Sequence, residues 1–214
     1  MRPVAVETHQ ITLHTLDGLQ LSADLAAPVG APAGTGVAIC HPHPRFGGDR
    51  HNAVVDALFR RFGELGLAVV RFDFRGVGSS EGEHGDGVDE RLDAAAAIDA
   101  LAAVTDGPIW LAGYSFGAAV ALDVTVPRLE GWLAVAPPLA VMRTDRLAGS
   151  DHRRKALLVA GHDQFSGPDA TAAACSEWRS TESTVLPTAD HFFAGHLGQV
   201  CDWATATLGL TAPG

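Results

Sequence analysis

Basic residues are scarce in this 214-residue chain. Fifteen Lys and Arg stand against 25 Asp and Glu, a formal charge of −10. Gripping nucleic-acid phosphates needs basic clusters, so no nucleic-acid partner is expected. Cysteine is sparse as well. Cys40, Cys175 and Cys201 are odd in number and widely spaced, which fits reduced thiols in a cytoplasm rather than a disulfide framework. Long apolar runs are missing too: the longest, "WLAVAPPLAVM", is broken by Pro137 and Pro138 and is too short to span a membrane. The opening "MRPVAVETHQ" has no continuous apolar core, which predicts no secretory signal. Repeats, low-complexity tracts and Pro/Gly/Ser-rich linkers are absent. These absences predict one cytoplasmic domain over residues 1–214, with neither a membrane nor a nucleic acid as partner.

What is present is apolar: 47% of the residues, ample for a buried core. Two early strands, "TLHTL" after Ile11 and "LQLSADL" from Leu19, flank Asp17-Gly18, a hairpin signal. Strand and helix then alternate. "GVAIC", "LAVVRFDF", "PIWLAG", "GWLAVAP", "KALLVAG" and "STVLPT" read as strands. Helical spacing runs from Arg50 to Leu65, through the Ala-rich "FGAAVALDV", and over Leu197 to Leu208. Asp86 is the expected cap of a further helix with the stripe Val88, Leu92, Ala95, Ile98 and Leu101. The acids between Glu81 and Asp106 read as a solvated helix face. The sum is an α/β fold with a mostly parallel central sheet of about eight strands and helices on both faces. Ligands bind such sheets at the carboxyl ends of the strands.

At one such end stands Gly113-Tyr114-Ser115-Phe116-Gly117. Strand, sharp turn and helix form the context in which a serine becomes an exposed nucleophile. Side chains two residues either side of so tight a turn would strike neighbouring chain, hence glycine at both places. The turn sets Ser115 at a helix N-terminus, where the Phe116 amide can face a developing oxyanion. A base and an orienting acid should follow in the order Ser, Asp or Glu, His. His191 leaves the last strand at the sheet's carboxyl edge, whereas His196 falls inside the terminal helix, so His191 is the expected base. Asp163, just past "KALLVAG", is the expected acid, with adjacent Asp190 in reserve and Asp169 read as a helix cap. A second oxyanion donor should come from "CHPHPRFGGDRHN" after the first parallel strand. Pro42 and Pro44 carry no amide hydrogen, which leaves His43 between them.

Other side chains have simpler accounts. His41 and His43 invite a metal, yet no third ligand of suitable spacing follows; a packed His41 supporting the loop is the better account. Arg45 and Arg75 are candidates to meet an anionic substrate, although pairing with Asp73 or another acid is simpler. Phe46, Phe116, Phe192, Phe193 and Met142 are candidates to wall an acyl pocket.

"HPHP", "FDFRGVGSSEG", "GYSFG" and "ADHFF", in that order, resemble a small, lidless bacterial group of the α/β-hydrolase superfamily. The resemblance runs from about Val37 to Leu208. It implies a serine hydrolase with Ser115, Asp163 and His191 as triad and the amides of His43 and Phe116 as oxyanion hole. It implies no cofactor, no metal and no particular substrate. Serine at the elbow favours acyl transfer, and the segment from Ala136 to Arg154 is too short for a large lid domain. The expected function is therefore a carboxylesterase acting on a small ester or thioester through an acyl-enzyme. The rival is a hydrolase-fold binding or scaffold protein without useful turnover.

Overall fold

The computed structural model describes residues 5–30, 32–142 and 145–210. Eight strands form one sheet: β1 (Val6–His14), β2 (Gln20–Pro28), β3 (Gly36–Cys40), β4 (Ala68–Phe72), β5 (Ile109–Tyr114), β6 (Leu129–Val135), β7 (Arg154–His162) and β8 (Thr181–Asp190). Their spatial order is β1-β2-β4-β3-β5-β6-β7-β8. The β1–β2 and β2–β4 pairs are antiparallel, and every later pair is parallel. The early strands are joined as expected, but by the loop 15–19, closed by Thr15 N–H donating to Leu19 O at 3.0 Å with Gly18 at φ 91°.

Among the described residues five α-helices cover the sheet: α1 (Ala53–Glu64), α2 (Glu90–Ala102), α3 (Phe116–Ala121), α4 (Pro168–Ala174) and α5 (Leu197–Thr207). The period-2 alternation of the strands decides which helix each residue meets. Val37, Ile39, Val69, Trp110, Ala112 and Tyr114 pack with α1 and α5. Their neighbours Ala38, Cys40, Val70, Phe72, Ile109 and Leu111 pack with α2 and α3. Every residue of β3 and β5 is buried, the pattern of parallel strands covered on both faces. Between β6 and β7 the only regular element among the described residues is the 3-10 turn Leu147–Ser150. No helix of the described residues is long and apolar enough to cross a membrane.

The segment before α2 departs from expectation. The helix begins at Glu90, not Asp86, which stands at φ 53° in a turn. Its buried face is Glu90, Asp93, Ala94, Ala97, Ile98 and Leu101, and Val88 is 56% exposed. Glu90 and Asp93 are therefore not part of the expected solvated face, whereas Glu81, Glu83, Asp86, Asp89, Asp99 and Asp106 are exposed as expected. Asp93 accepts the Arg75 backbone amide at 2.9 Å and a forked contact from its guanidinium at 2.7 and 3.0 Å. Glu90 accepts the amides of Gly85 and Gly87, each at 2.8 Å. A hydrophobicity pattern cannot foresee this, because acids enter a core only where donors from distant segments meet them.

Arg75 also reaches Asp17 at 3.0 Å, so it ties the hairpin loop to α2 and is not free for a substrate. Arg50 does the same for the loop after β3. Its backbone amide donates to Asp73 Oδ1 at 2.9 Å, and its guanidinium pairs with Asp73 and Asp24.

Removing the cation from the Arg75–Asp93 pair would strand a buried carboxylate. Arg75→Met should cost about 3–5 kcal/mol in urea unfolding at pH 7. The double variant Arg75→Met/Asp93→Asn, which removes the charge and keeps an acceptor for the residue-75 amide, should recover much of that loss.

Candidate active site

Ser115 follows β5 directly and caps α3 with φ 53° and ψ −119°, a conformation that L residues rarely adopt. Its amide donates to Val135 O at 2.9 Å, and its carbonyl accepts from Ala118 and Ala119 at 2.9 and 3.1 Å. The flanking glycines explain why the turn can exist. A Cβ on Gly113 would lie 2.3 Å from Gly117 O. One on Gly117 would lie 2.4 Å from Cys40 O and 2.5 Å from His41 O. The elbow is thus wedged against the end of β3, the strand that leads to the "HPHP" loop.

The structure brings Ser115, His191 and Asp163 into one hydrogen-bonded line. Ser115 Oγ is 2.9 Å from His191 Nε2, and His191 Nδ1 is 2.7 Å from Asp163 Oδ2. With Nδ1–H donating to the carboxylate, Nε2 is free to accept the serine proton. Asp163 Oδ1 accepts the amides of Phe165 and Ser166 at 2.8 and 3.1 Å. Burial raises the Asp163 pKa, but the bond from His191 and these two amides outweigh it and hold the carboxyl below 3.8. Tyr114 O–H donates to His191 O at 2.9 Å, and the His191 ring meets Phe165 edge-on at 4.6 Å. The imidazole is therefore fixed at its backbone, its Nδ1 and its flank. Asp190 is exposed and accepts the Phe192 amide, and Asp169 lies in the first turn of α4. His196 caps α5 and meets Thr188 Oγ1 at 3.0 Å. None of these three joins the line.

The loop after β3 closes tightly on itself. His43 O accepts from Phe46 and Gly48, each at 3.1 Å, and a Cβ on Gly48 would fall 2.1 Å from Pro42 O. His41 is fully buried; its Nε2 accepts the Phe74 amide at 3.0 Å and its Nδ1 reaches Pro42 O at 2.6 Å. Acceptance at Nε2 needs the neutral ring, and burial, outweighing the opposing bond to Pro42 O, pushes its pKa down to about 4. The amides of His43 and Phe116 donate to no described residue. Two unspent N–H groups beside a serine can receive negative charge on an oxygen.

These groups open into a cleft of about 640 Å³. Phe46, Phe116 and Met142 line it, as does Phe192, together with Val141 and Phe165. Phe193 does not: it is fully buried at φ 52° in the core beneath α1 and α5. Arg45 pairs with Asp86 at 3.3 Å and borders a neighbouring groove of about 390 Å³. Sequence reasoning missed Tyr114 and Asn52, which also line the cleft. Tyr114 sits at a variable place of the pentapeptide, and Asn52 carries only the signal of a helix cap.

The family model described as serine aminopeptidase, S33, matches residues 37–149. An α/β serine hydrolase homologue from Coxiella burnetii is similar in structure, with a TM-score of 0.82 and 30% identity over 94% of this chain and 97% of that one. A serine hydrolase without lid from Xanthomonas campestris is similar at a TM-score of 0.82 and 28% identity, over 97% of each chain. An uncharacterised protein of Rickettsia prowazekii is 36% identical over 105 residues, which span 47% of this chain and 44% of that protein. This chain therefore matches less than half the length of that curated relative.

His41 should leave a pH signature. The unfolded imidazole protonates near 6.5 and the folded one near 4, so the unfolded state binds more protons in between. Stability should be full above pH 6.5 and fall by on the order of 3 kcal/mol as pH drops towards 4. Urea unfolding at pH 7 and pH 4.5 measures this, and His41→Gln should lose that part of the slope.

Proposed function

This chain belongs to the serine aminopeptidase S33 family of the α/β-hydrolase superfamily, and from that membership we propose that it is a carboxylesterase. The observation that carries the reading is the line Ser115 Oγ–His191–Asp163, with gaps of 2.9 and 2.7 Å. In the proposed reaction Ser115 attacks an ester carbonyl while His191 Nε2 takes its proton. The amides of His43 and Phe116 receive the oxyanion, and His191 then protonates the departing alcohol. Water, activated by the same imidazole, releases the acid from the acyl-serine. Asp163 holds the tautomer and balances the imidazolium.

The walls of the cleft support ester over peptide. An aminopeptidase must meet the α-ammonium of its substrate, a charge that a carboxylate normally receives. No carboxylate is among the described residues lining the 640 Å³ cleft, whereas six apolar side chains, Phe46, Phe116, Val141, Met142, Phe165 and Phe192, are. Phe46, Val141 and Phe192 are 87, 61 and 60% exposed. Such a site suits an uncharged, apolar acyl group offered from outside, without a lid to open.

A fluorophosphonate should label the wild-type protein and not Ser115→Ala. That variant should lose on the order of 10⁴-fold or more of its turnover of a p-nitrophenyl acyl ester. Equal hydrolysis by both proteins, or an unlabelled wild type, favours the non-catalytic scaffold instead. Asp163→Asn, which removes the acceptor that sets the His191 tautomer, should fall by a comparable factor in kcat. Aminoacyl p-nitroanilides should be cleaved far more slowly than the ester.

A further inference from the structure

Asn52 is, with the His43 imidazole, a polar side chain of the cleft wall that this chemistry leaves unused. It caps α1, and its Oδ1 accepts the Val54 amide at 3.0 Å. That bond decides which way the amide group faces. Oxygen, the acceptor, must be the atom turned to Val54, so the two Nδ2 hydrogens are aimed elsewhere. Nδ2 donates to no described residue, nor is it among the enclosed side-chain atoms that lack a partner. Since Asn52 lines the cleft, we propose that Nδ2 is a substrate donor. It hydrogen-bonds an acceptor oxygen in the alcohol half of the ester.

The alcohol half follows from placement. α1 packs with α5, Tyr114, Ala189 and Phe193 on one face of the sheet. Tyr114 holds the His191 backbone from that same side. His191 Nε2 must hand its proton to the departing oxygen, so the alcohol leaves on the side where Asn52 stands. Phe116 and Met142 belong to the opposite face, where Gly87 of the segment before α2 approaches both. They are left for the acyl chain. The substrate class is then an ester with an apolar acyl group and an oxygenated alcohol, carrying an ether, hydroxyl or carbonyl oxygen beyond the ester link. This inference rests on the esterase reading above.

The test uses two near-isosteric butyrates, 2-methoxyethyl and n-butyl, which differ in the ether acceptor. The measured quantity is the ratio of their kcat/KM values in wild type, Asn52→Ser and Asn52→Asp. Serine and aspartate are both good helix caps, so Tm should stay within a few degrees of wild type in both variants. The wild type should favour the ether ester, and Asn52→Ser should cut that preference about five-fold. Asn52→Asp, which faces the ether oxygen with a carboxylate, should cut it further. The same ratio in all three proteins overturns the inference and leaves the esterase reading intact. Failure of fluorophosphonate to label wild-type Ser115 overturns both. Should the labelled protein turn over neither butyrate, protection of Ser115 from labelling by each intact ester supplies the ratio instead.

Discussion

The backbone contact between the elbow and the end of β3 is the constraint on which the site depends. Gly117 passes so close to Cys40 O and His41 O that no Cβ fits. That contact fixes the nucleophile and the "HPHP" loop to one another. The two unspent amides, Phe116 on α3 and His43 on the loop, thus share a frame although more than seventy positions separate them in the chain. In the proposed reaction, positioning of this kind readies the oxyanion hole before a substrate arrives, with no reorganisation at the moment of reaction.

Around this contact, buried polar groups hold the remaining loops. Asp163 keeps His191 in line and is itself held by two amides. Asp73 anchors Arg50 at the far end of the oxyanion loop, and neutral His41 bridges that loop to Phe74. Asp93 and Glu90 secure the segment before α2, which places His84 against the rings of His43 and Phe116 at 5.0 and 5.3 Å. Each of these acids and imidazoles would be costly alone in a core. Met by donors or acceptors from another segment, they become fixed points between loops that hydrophobic packing leaves loose.

The cleft combines a charged, precisely bonded floor with greasy walls. Its exposed rim of Phe46, Val141 and Phe192 comes from the loops after β3, β6 and β8. Phe165, also exposed, comes from the loop after β7, so four strand ends contribute to the wall. Exposed aromatic side chains gathered around one site mark a place where apolar matter binds. Asn52, at the edge of this wall, adds a directional contact to an otherwise non-directional surface.

The sequence by itself determined the alternation of strands and helices, the parallel sheet and the motif order in which a serine, an acid and a base occur. These are local properties: side-chain periodicity, glycine at the turn, proline without an amide hydrogen. Asp163 was legible over Asp190 because a strand end aims its loop, whereas a sequence neighbour of His191 is turned away from the ring. Only the tertiary structure decided the rest. The burial of Glu90 and Asp93, the start of α2 at Glu90 and the core position of Phe193 all turn on partners far away in the chain. A residue's period can say which face it occupies, but what meets it on that face is decided by chain packing, and that alone makes a buried acid tolerable.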